Sequence, residues 1–167
     1  MIIMITTTVI TGITTMIDDQ ALMRLLQLAS PMLPVGAYSY SQGLEAAIED
    51  GTVSDAESAA LWIGDVLELY VARFELPLLK RMYAAWSADG DDAAEWNALH
   101  SAGRDTAEGR AESLQMGYSL VRLLADLGAF DPASLAQLKA IAPVGFPLAF
   151  AFAAAAWAVP ADACLHA

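Results

Sequence analysis

The sequence predicts an all-α fold, a single-domain helical bundle of roughly seven helices. Beyond residue 18, apolar side chains recur at the three- and four-residue spacing of helices. Proline and glycine separate these stretches at short intervals, and no strand ladder, repeat or low-complexity linker competes with them. The 167 residues are enough for one ordinary domain with its own core. Short connections between amphipathic helices indicate a bundle.

Residues 1–18 are set apart as a leader, and residues 19–167 form the predicted helical domain. The leader is apolar and threonine-rich, but it lacks the basic start and small-residue cleavage site of a signal peptide. Its Ile, Val and Thr residues favour a strand that has nothing obvious to pair with. We therefore expect the leader to be disordered or a non-native extension.

The first helices are marked by caps and breakers. Asp18 or Asp19 is a suitable cap for the first helix, and Ser30-Pro31 ends it because the residue before proline avoids helical geometry. A short helix is expected over 42–49. Ser54 and Glu57 predict a capping box for the next helix. Further along the chain, Pro77 is expected to begin a new helix or kink the old one. The residues expected to face inward are Leu22, Leu25, Leu26, Ala29, Ala59, Trp62, Ile63, Val66 and Tyr70.

Helical spacing returns from residue 93 to about residue 127. Gly103, Gly109 and Gly117 interrupt it and indicate a break or close helix packing. Asp131-Pro132 is a sound helix start, a cap followed by a first-turn proline. Residues 148–159 are apolar on every side. The expected inward residues of this half are Trp96, Leu99, Leu114, Tyr118, Val121 and Leu124.

Composition and charge exclude several classes of protein. The net charge is −12, from 20 acidic and 8 basic residues, which argues against nucleic acid because phosphate binding needs basic patches. Such a charge suits a basic protein partner, attracts cations, or simply keeps the protein in solution. Hydrophobic residues make up 57% of the chain and mean hydropathy is +0.46. The longest apolar stretch, 140–159, is cut by two prolines and a glycine, which favours a buried central helix over a membrane span.

No catalytic or metal-binding motif stands out, so neither a catalytic residue nor a cofactor is predicted. One cysteine, Cys164, excludes an internal disulfide and a paired-cysteine zinc site, and a reducing cytoplasm is the natural compartment. The histidines, His100 and His166, are far apart in sequence. Cys164 and His166 would point apart on a helix, so we interpret them as a small apolar side chain beside an exposed one.

Two segments have unusual composition. Residues 30–45 carry two prolines, two glycines and several hydroxyl groups, which indicates either a shaped binding loop or a corner of the core. The run from Arg104 to Glu112 is charged at helical spacing, with Arg104 and Glu108 as an i, i+4 pair. A charged run of this kind is typical of a solvated helix face, although an arginine presented there can also bind a carboxylate or phosphate.

Three collinear stretches resemble the UreF type of urease accessory protein. They are LLQLASPMLPVGAYSYSQGLEAAIE (25–49), RDTAEGRAESLQMG (104–117) and PVGFPLAFAFAAAAW (143–157), with Trp62 between the first two. The resemblance implies an all-α, non-enzymatic protein that takes part in metallocentre assembly. It implies that such a chaperone assembles with the accessory protein UreD/UreH and the GTPase UreG on apo-urease for nickel insertion. Homodimerisation is also usual in the family. The alternative is a helical interaction or membrane-surface adaptor without a urease role.

On this resemblance, two regions are expected to face partners, the loop from Pro34 to Glu45 and the charged run. The candidate partner-binding residues are Pro34, Gly36, Tyr38, Ser39, Tyr40, Glu45, Arg104 and Glu108. Two departures from the family pattern matter. Gly103 stands where the family commonly has serine, which questions local rigidity. The family also continues with at least one further helix and a tail, so this sequence is expected to lack them and to self-associate through exposed core.

Overall fold

Every regular element in the described part of the chain is a helix. The computed structural model describes residues 17–37, 40–41, 43–88 and 92–166. The described residues contain ten helical elements, of which three join end to end into one run. Counted in this way there are eight helices, which confirms the predicted all-α bundle. The elements are α1 (Asp19–Leu28), α2 (Leu44–Glu49), α3 (Ala56–Asp65), a π-helical segment (Val66–Glu75), α4 (Leu76–Ser87), α5 (Ala93–Ala102), α6 (Ala107–Leu127), α7 (Pro132–Ala140), α8 (Phe146–Ala156) and α9 (Ala161–Cys164). The leader, apart from its last two residues, lies outside the described residues.

The predicted helix starts at Asp18 and Asp131 are confirmed. The Asp18 carboxylate accepts a hydrogen bond from the Ala21 amide at 2.8 Å, and that of Asp131 accepts one from the Ser134 amide at 2.8 Å. Each satisfies one of the free amides at a helix start. The capping box before α3 lies one residue later than predicted. It joins Asp55 to Ser58 rather than Ser54 to Glu57: the Asp55 carboxylate accepts from the Ser58 amide at 2.8 Å, and the Ser58 hydroxyl accepts from the Asp55 amide at 3.0 Å.

α3, the π-helical segment and α4 form one continuous helical run. Pro77 lies in the first turn of α4, where a new helix was predicted to begin, and the run continues through it without a break. A proline inside an α-helix lacks an amide and crowds the carbonyl four residues earlier. The segment just before Pro77 uses wider turns, in which the Leu76 amide donates to the Val71 carbonyl five residues back. A wider turn is one means by which a helix passes a proline, and sequence periodicity alone did not predict it.

α8 is the centre of the bundle. All of its residues from Leu148 to Ala154 are buried, as expected of a helix that is apolar on every side. It packs mainly against α4 and α6. In the described ranges, none of the helices is both long and apolar enough to cross a membrane.

α6 approaches α8 closely at Gly117. A Cβ atom added there would overlap the Val144 carbonyl oxygen and lie 2.7 Å from the Gly145 carbonyl carbon. Close helix packing, one of the two predicted roles of the glycines, is confirmed at this position. The other role, a break, applies at Gly103, which follows α5.

Five residues predicted to face inward are exposed instead: Leu26, Ala29, Ile63, Leu99 and Tyr118. On α1, α5 and α6 a different stripe of the helix is buried. α1 buries Ala21, Leu25 and Leu28, which leaves Leu26 outside. α5 buries polar side chains, Asn97 and His100, in place of Leu99. α6 turns Gly117 toward α8, so its neighbour Tyr118 points away. Neither α3 nor the π-helical segment has any buried residue, and Ile63 is exposed with the rest of that surface.

Candidate functional site

A half-buried charged cluster lies where the π-helical segment meets α5 and α6. Glu75, the last residue of the segment, receives two partners. Arg104 Nη2 lies 2.8 Å from Glu75 Oε1, and His100 Nε2 lies 3.3 Å from the same oxygen. Tyr70 and Glu112 lie beside them, and the five side chains are called the Glu75 cluster below. The cluster joins residues that are 25 to 29 positions apart in the chain, so it fixes the junction between helices.

The cluster perturbs its own acids in opposite directions. Burial raises the pKa of Glu75, but the hydrogen bond from His100 and the positive charge of Arg104 outweigh it and leave this pKa below its ordinary value. Glu112 is buried without such a bond, and burial raises its pKa. Burial also raises the pKa of Tyr70. One carboxylate is therefore held charged, while its neighbour is pushed toward the neutral form.

Gly103 makes room for this arrangement. The Phe74 ring stacks on the His100 ring at 6.3 Å between centroids and 14° between planes. A Cβ atom at residue 103 would overlap the Phe74 ring. The glycine at this position, which raised a question about local rigidity, is explained by close packing against an aromatic side chain. Glycine fits at position 103 because there is no room for a side chain, and its backbone angles are ordinary ones that any residue can adopt.

A second polar group, centred on Asn97, holds the start of α8. The Asn97 side-chain amide donates to the Pro143 carbonyl at 2.9 Å and accepts from the Gly145 amide at 2.9 Å. The Ser113 hydroxyl accepts from the Phe146 amide at 3.3 Å. These bonds satisfy backbone groups that the turn before α8 would otherwise leave buried and unpaired. The buried polar pair therefore positions the central helix.

The predicted Arg104–Glu108 pair is wrong. Arg104 lies before α6 in a non-helical stretch, and Thr106 caps the helix by accepting from the Gly109 amide at 2.9 Å. The i, i+4 geometry therefore does not exist at Arg104, which binds Glu75 instead. Glu108 is exposed in the first turn of α6. Of the two residues, only Glu108 offers a charged group to solvent.

The predicted loop from Pro34 to Glu45 is partly anchored and partly free. Val35 is buried, Tyr40 packs half-buried against the core, and Pro34, Gly36 and Glu45 are exposed. Gly36 has φ of +82°, a conformation that favours glycine. Tyr38 and Ser39 lie outside the described residues. In the part of the chain that the structure describes, no hydrogen bond or ion pair links this loop to Arg104 or Glu108, so the two predicted regions are not shown to form one site.

A groove of about 770 Å³ adjoins the loop. It lies between α1, the loop and α6, and its lining is mostly apolar. Met23, Leu26 and Met32 line it and are strongly exposed, with Pro34 at its edge. Methionine side chains adapt to differently shaped partners. The predicted partner-facing loop thus borders a surface that can accept apolar side chains.

The described residues contain no group of three or more His, Cys, Asp or Glu side chains suited to one metal ion. Cys164 is buried and its Sγ lies 3.9 Å from the Val159 carbonyl oxygen. Burial raises the pKa of its thiol to about 11, so the sulfur is protonated and unreactive at neutral pH. His166 is exposed. The interpretation of this pair as an apolar and an exposed side chain agrees with these positions.

The sequence interpretation missed Glu75, His100 and Asn97. Each is a polar residue inside an otherwise apolar helical pattern, which was the available signal. Their partners lie 25 to 48 residues away, however, and no spacing rule predicts such contacts. A polar residue inside an apolar helical pattern therefore indicates a buried side chain with a hydrogen-bond partner elsewhere in the fold.

Comparison with known proteins identifies the family. A family model described as UreF matches residues 53–167. The urease accessory protein UreF of Azoarcus sp. (strain BH72) is 61% identical over 150 residues, which cover 87% of this chain and 64% of that protein. The one from Methylobacillus flagellatus is 53% identical over 153 residues, covering 91% of this chain and 67% of that protein.

A longer relative carries the same similarity within a larger protein. The bifunctional urease accessory protein UreEF of Bordetella bronchiseptica is 46% identical over 158 residues, which are 93% of this chain and 36% of that protein. The chain spans about two thirds of the length of the single UreF relatives. The resemblance found in the sequence is confirmed over most of its length, and the chain belongs to the UreF family of urease accessory proteins.

Proposed function

We propose that this chain is a non-enzymatic scaffold in urease maturation. In this role it assembles with UreD/UreH and the GTPase UreG on apo-urease, modulates the GTPase and supports nickel insertion in the cytoplasm. The observation that carries the proposal is 61% identity to a urease accessory protein over 87% of the chain. The Bordetella relative, named as a bifunctional UreEF, supports a role in concert with other accessory proteins.

The surface of the bundle supports this role. The Pro34–Glu45 loop and the groove beside it offer exposed apolar and polar groups on a framework fixed by α1 and α6. We assign partner contact to Pro34, Gly36, Tyr38, Ser39, Tyr40 and Glu45, and to Glu108 on α6. Arg104 is engaged by Glu75, so its proposed role is to position the start of α6 rather than to touch a partner. Domain limits of 19–167 and a homodimer belong to the same proposal.

The test is maturation of urease in cells. Cells that lack this gene are expected to produce urease with little nickel and little activity, and a plasmid copy of the chain should restore both. Nickel content is measured on purified urease. A tagged chain should also co-purify UreD/UreH and UreG. Fully nickel-loaded urease in the deletion strain would overturn the proposal, as would a chain that captures neither accessory protein.

A matched pair of variants tests the groove beside the loop. Met32→Glu places a charge in the apolar groove and should reduce capture of the accessory proteins. Leu127→Glu changes an exposed leucine at the far end of α6 and should leave capture unchanged. Equal loss in both variants would show that any surface charge disturbs assembly and that the groove has no special role.

A further inference from the structure

Arg24 on α1 is the one charged residue between Gln20 and Leu44, in a chain whose net charge is −12. Its side chain is half-buried and lines the groove beside the Pro34–Glu45 loop. Among the described residues that line this groove there is no aspartate or glutamate. A strongly acidic protein therefore presents an acid-free groove that contains a single positive charge.

The guanidinium of Arg24 is held in place by an aromatic stack. It lies over the Trp157 ring, 4.6 Å from the ring centroid, and Trp157 packs on Phe130 with 5.0 Å between ring centroids. Arg24 Nη1 donates to Gln27 Oε1 at 3.1 Å. In the described ranges no ion pair engages this guanidinium, so most of its N–H groups are available to a ligand. An arginine fixed in this way suits the planar geometry of a carboxylate.

Apolar side chains lie beside this charge. Gln20, Met23, Arg24 and Gln27 all line the groove, and they project within roughly 100° of one another around α1, since successive residues of a helix are about 100° apart. Met32 of the loop lines the groove too, with 85% of its surface exposed. A ligand in the groove can therefore touch methionine side chains and Arg24 at once. An ion pair is stronger beside apolar groups than in open water.

We propose that the groove binds a partner segment in which an Asp or Glu side chain lies next to apolar side chains. The carboxylate pairs with Arg24, and the apolar side chains contact Met23 and Met32. The sign of the charge follows from Arg24, because a basic segment would meet it with like charge. The inference deepens the proposed function and rests on it for the identity of the partner, which is one of the accessory proteins or urease itself.

A displayed library of random peptides tests the chemistry of the ligand without a known partner. The library is selected on the unaltered chain and on Arg24→Gln. We expect the unaltered chain to enrich peptides that combine Asp or Glu with Leu, Met or Phe. Selection on Arg24→Gln should keep the apolar residues and lose the preference for acids. The same preference for acids on both proteins would overturn the proposal, as would enrichment of peptides without an acidic residue on the unaltered chain.

A double-mutant cycle then locates the carboxylate. The strongest selected peptide is synthesised with its acidic residue and with the matching amide, and fluorescence anisotropy measures binding of each. On the unaltered chain the amide peptide should bind about tenfold more weakly, and on Arg24→Gln the two peptides should bind alike. The control Lys139→Gln removes an exposed positive charge from α7 and should retain the difference. A difference that persists in Arg24→Gln would refute the assignment.

Co-purification and sedimentation separate failure of this site from failure of the proposed function. If Arg24→Gln and Lys139→Gln capture the accessory proteins equally well, the urease role stands and the groove assignment is wrong. If the acidic peptide binds through Arg24 but the unaltered chain captures neither UreD/UreH nor UreG, the site stands and the urease role fails. If the unaltered chain is a dimer that Arg24→Gln converts to a monomer, the groove binds a second copy and the proposal is wrong.

Discussion

The guanidinium of Arg104 lies 2.8 Å from the carboxylate of Glu75, across 29 residues of chain. This contact connects the end of the π-helical segment to the residues just before α6. The side chain of Arg110 adds a hydrogen bond to the Arg104 carbonyl oxygen, which fixes the same stretch from the other side. Arg104 is thereby held by both its side chain and its backbone, as a residue that sets the direction of α6 would be.

Arg104→Ala should lower the free energy of unfolding by about 1–3 kcal/mol, because it removes the 2.8 Å ion pair of the half-buried Glu75 carboxylate. Urea unfolding followed by circular dichroism measures the change. The control is Arg73→Ala, which removes an exposed ion pair to Glu68 and should cost well under about 1 kcal/mol. Similar losses for the two variants would contradict a structural role for Arg104.

Glu75→Gln should destabilise the protein most at neutral pH. The pKa of Glu75 is lowered in the fold, so its charged form stabilises the protein above the ordinary carboxyl pKa. That contribution is lost as pH falls through the lowered value. The gap in stability between the unaltered chain and Glu75→Gln should therefore narrow toward about pH 4 and below. Urea unfolding midpoints of both proteins, measured from neutral pH to below about pH 4, give this difference in stability. A difference that does not change with pH would show that the charge of Glu75 does not stabilise the fold.

Glu112→Gln should have the opposite effect on stability at neutral pH, a gain where Glu75→Gln gives a loss. Burial raises the pKa of Glu112, so its neutral form favours folding below the ordinary pKa and this benefit is lost as pH rises through the raised value. Glutamine stays neutral throughout. The variant should therefore be more stable than the unaltered chain at pH 7, with the advantage shrinking in acid. Thermal melts of the variant and the unaltered chain, at pH 7 and in acid, measure this difference in stability. A variant less stable than the unaltered chain at pH 7 would contradict the raised pKa of Glu112.

Gly117→Ala should destabilise the bundle by about 1–3 kcal/mol, because the added methyl group meets backbone atoms of residues 144–146 that cannot rotate away. Gly64→Ala is the matched control. No atom lies within 4 Å of the position where its methyl group would be, and alanine favours helix, so this variant should gain about 0.5–1 kcal/mol. The two glycine variants thus differ in sign, and a gain in both would rule out close packing at Gly117.

Asn97→Ala should cost about 1–3 kcal/mol, since it leaves the buried Gly145 amide and the part-buried Pro143 carbonyl without the Asn97 side chain as partner. Ser113→Ala removes one longer bond and should cost less. Amide hydrogen exchange at Gly145 should accelerate in Asn97→Ala, because that amide loses its acceptor. Unaltered exchange there would show that the bond does not protect the turn before α8.

The sequence was sufficient for features set by neighbouring residues. Caps at Asp18 and Asp131, the stop near Pro31 and the apolar central helix follow from local chemistry, and the structure agrees. A charged run also suggested a local pair, Arg104 with Glu108. The actual partner, Glu75, lies on a distant part of the chain, and tertiary proximity of that kind has no signature in local spacing.

Helical periodicity was least successful where the core chemistry is unusual. Within the π-helical segment, Val66 and Tyr70 are half-buried, as their spacing predicts, whereas Ile63 before it is exposed. On α5 the core accepts Asn97 and His100, whereas a rule based on hydrophobicity prefers Leu99. In both cases the surroundings, rather than the residue itself, determine burial.

The position of α8 in the chain also affects how this protein emerges from the ribosome. Its apolar surface completes the core, yet it spans residues 146–156 and is made after the six helices that precede it. At about 5–20 residues per second, nascent α4 and α6 wait some seconds with their apolar faces uncovered. During that interval chaperones are expected to bind the growing polypeptide, and the yield of folded protein should depend on translation speed.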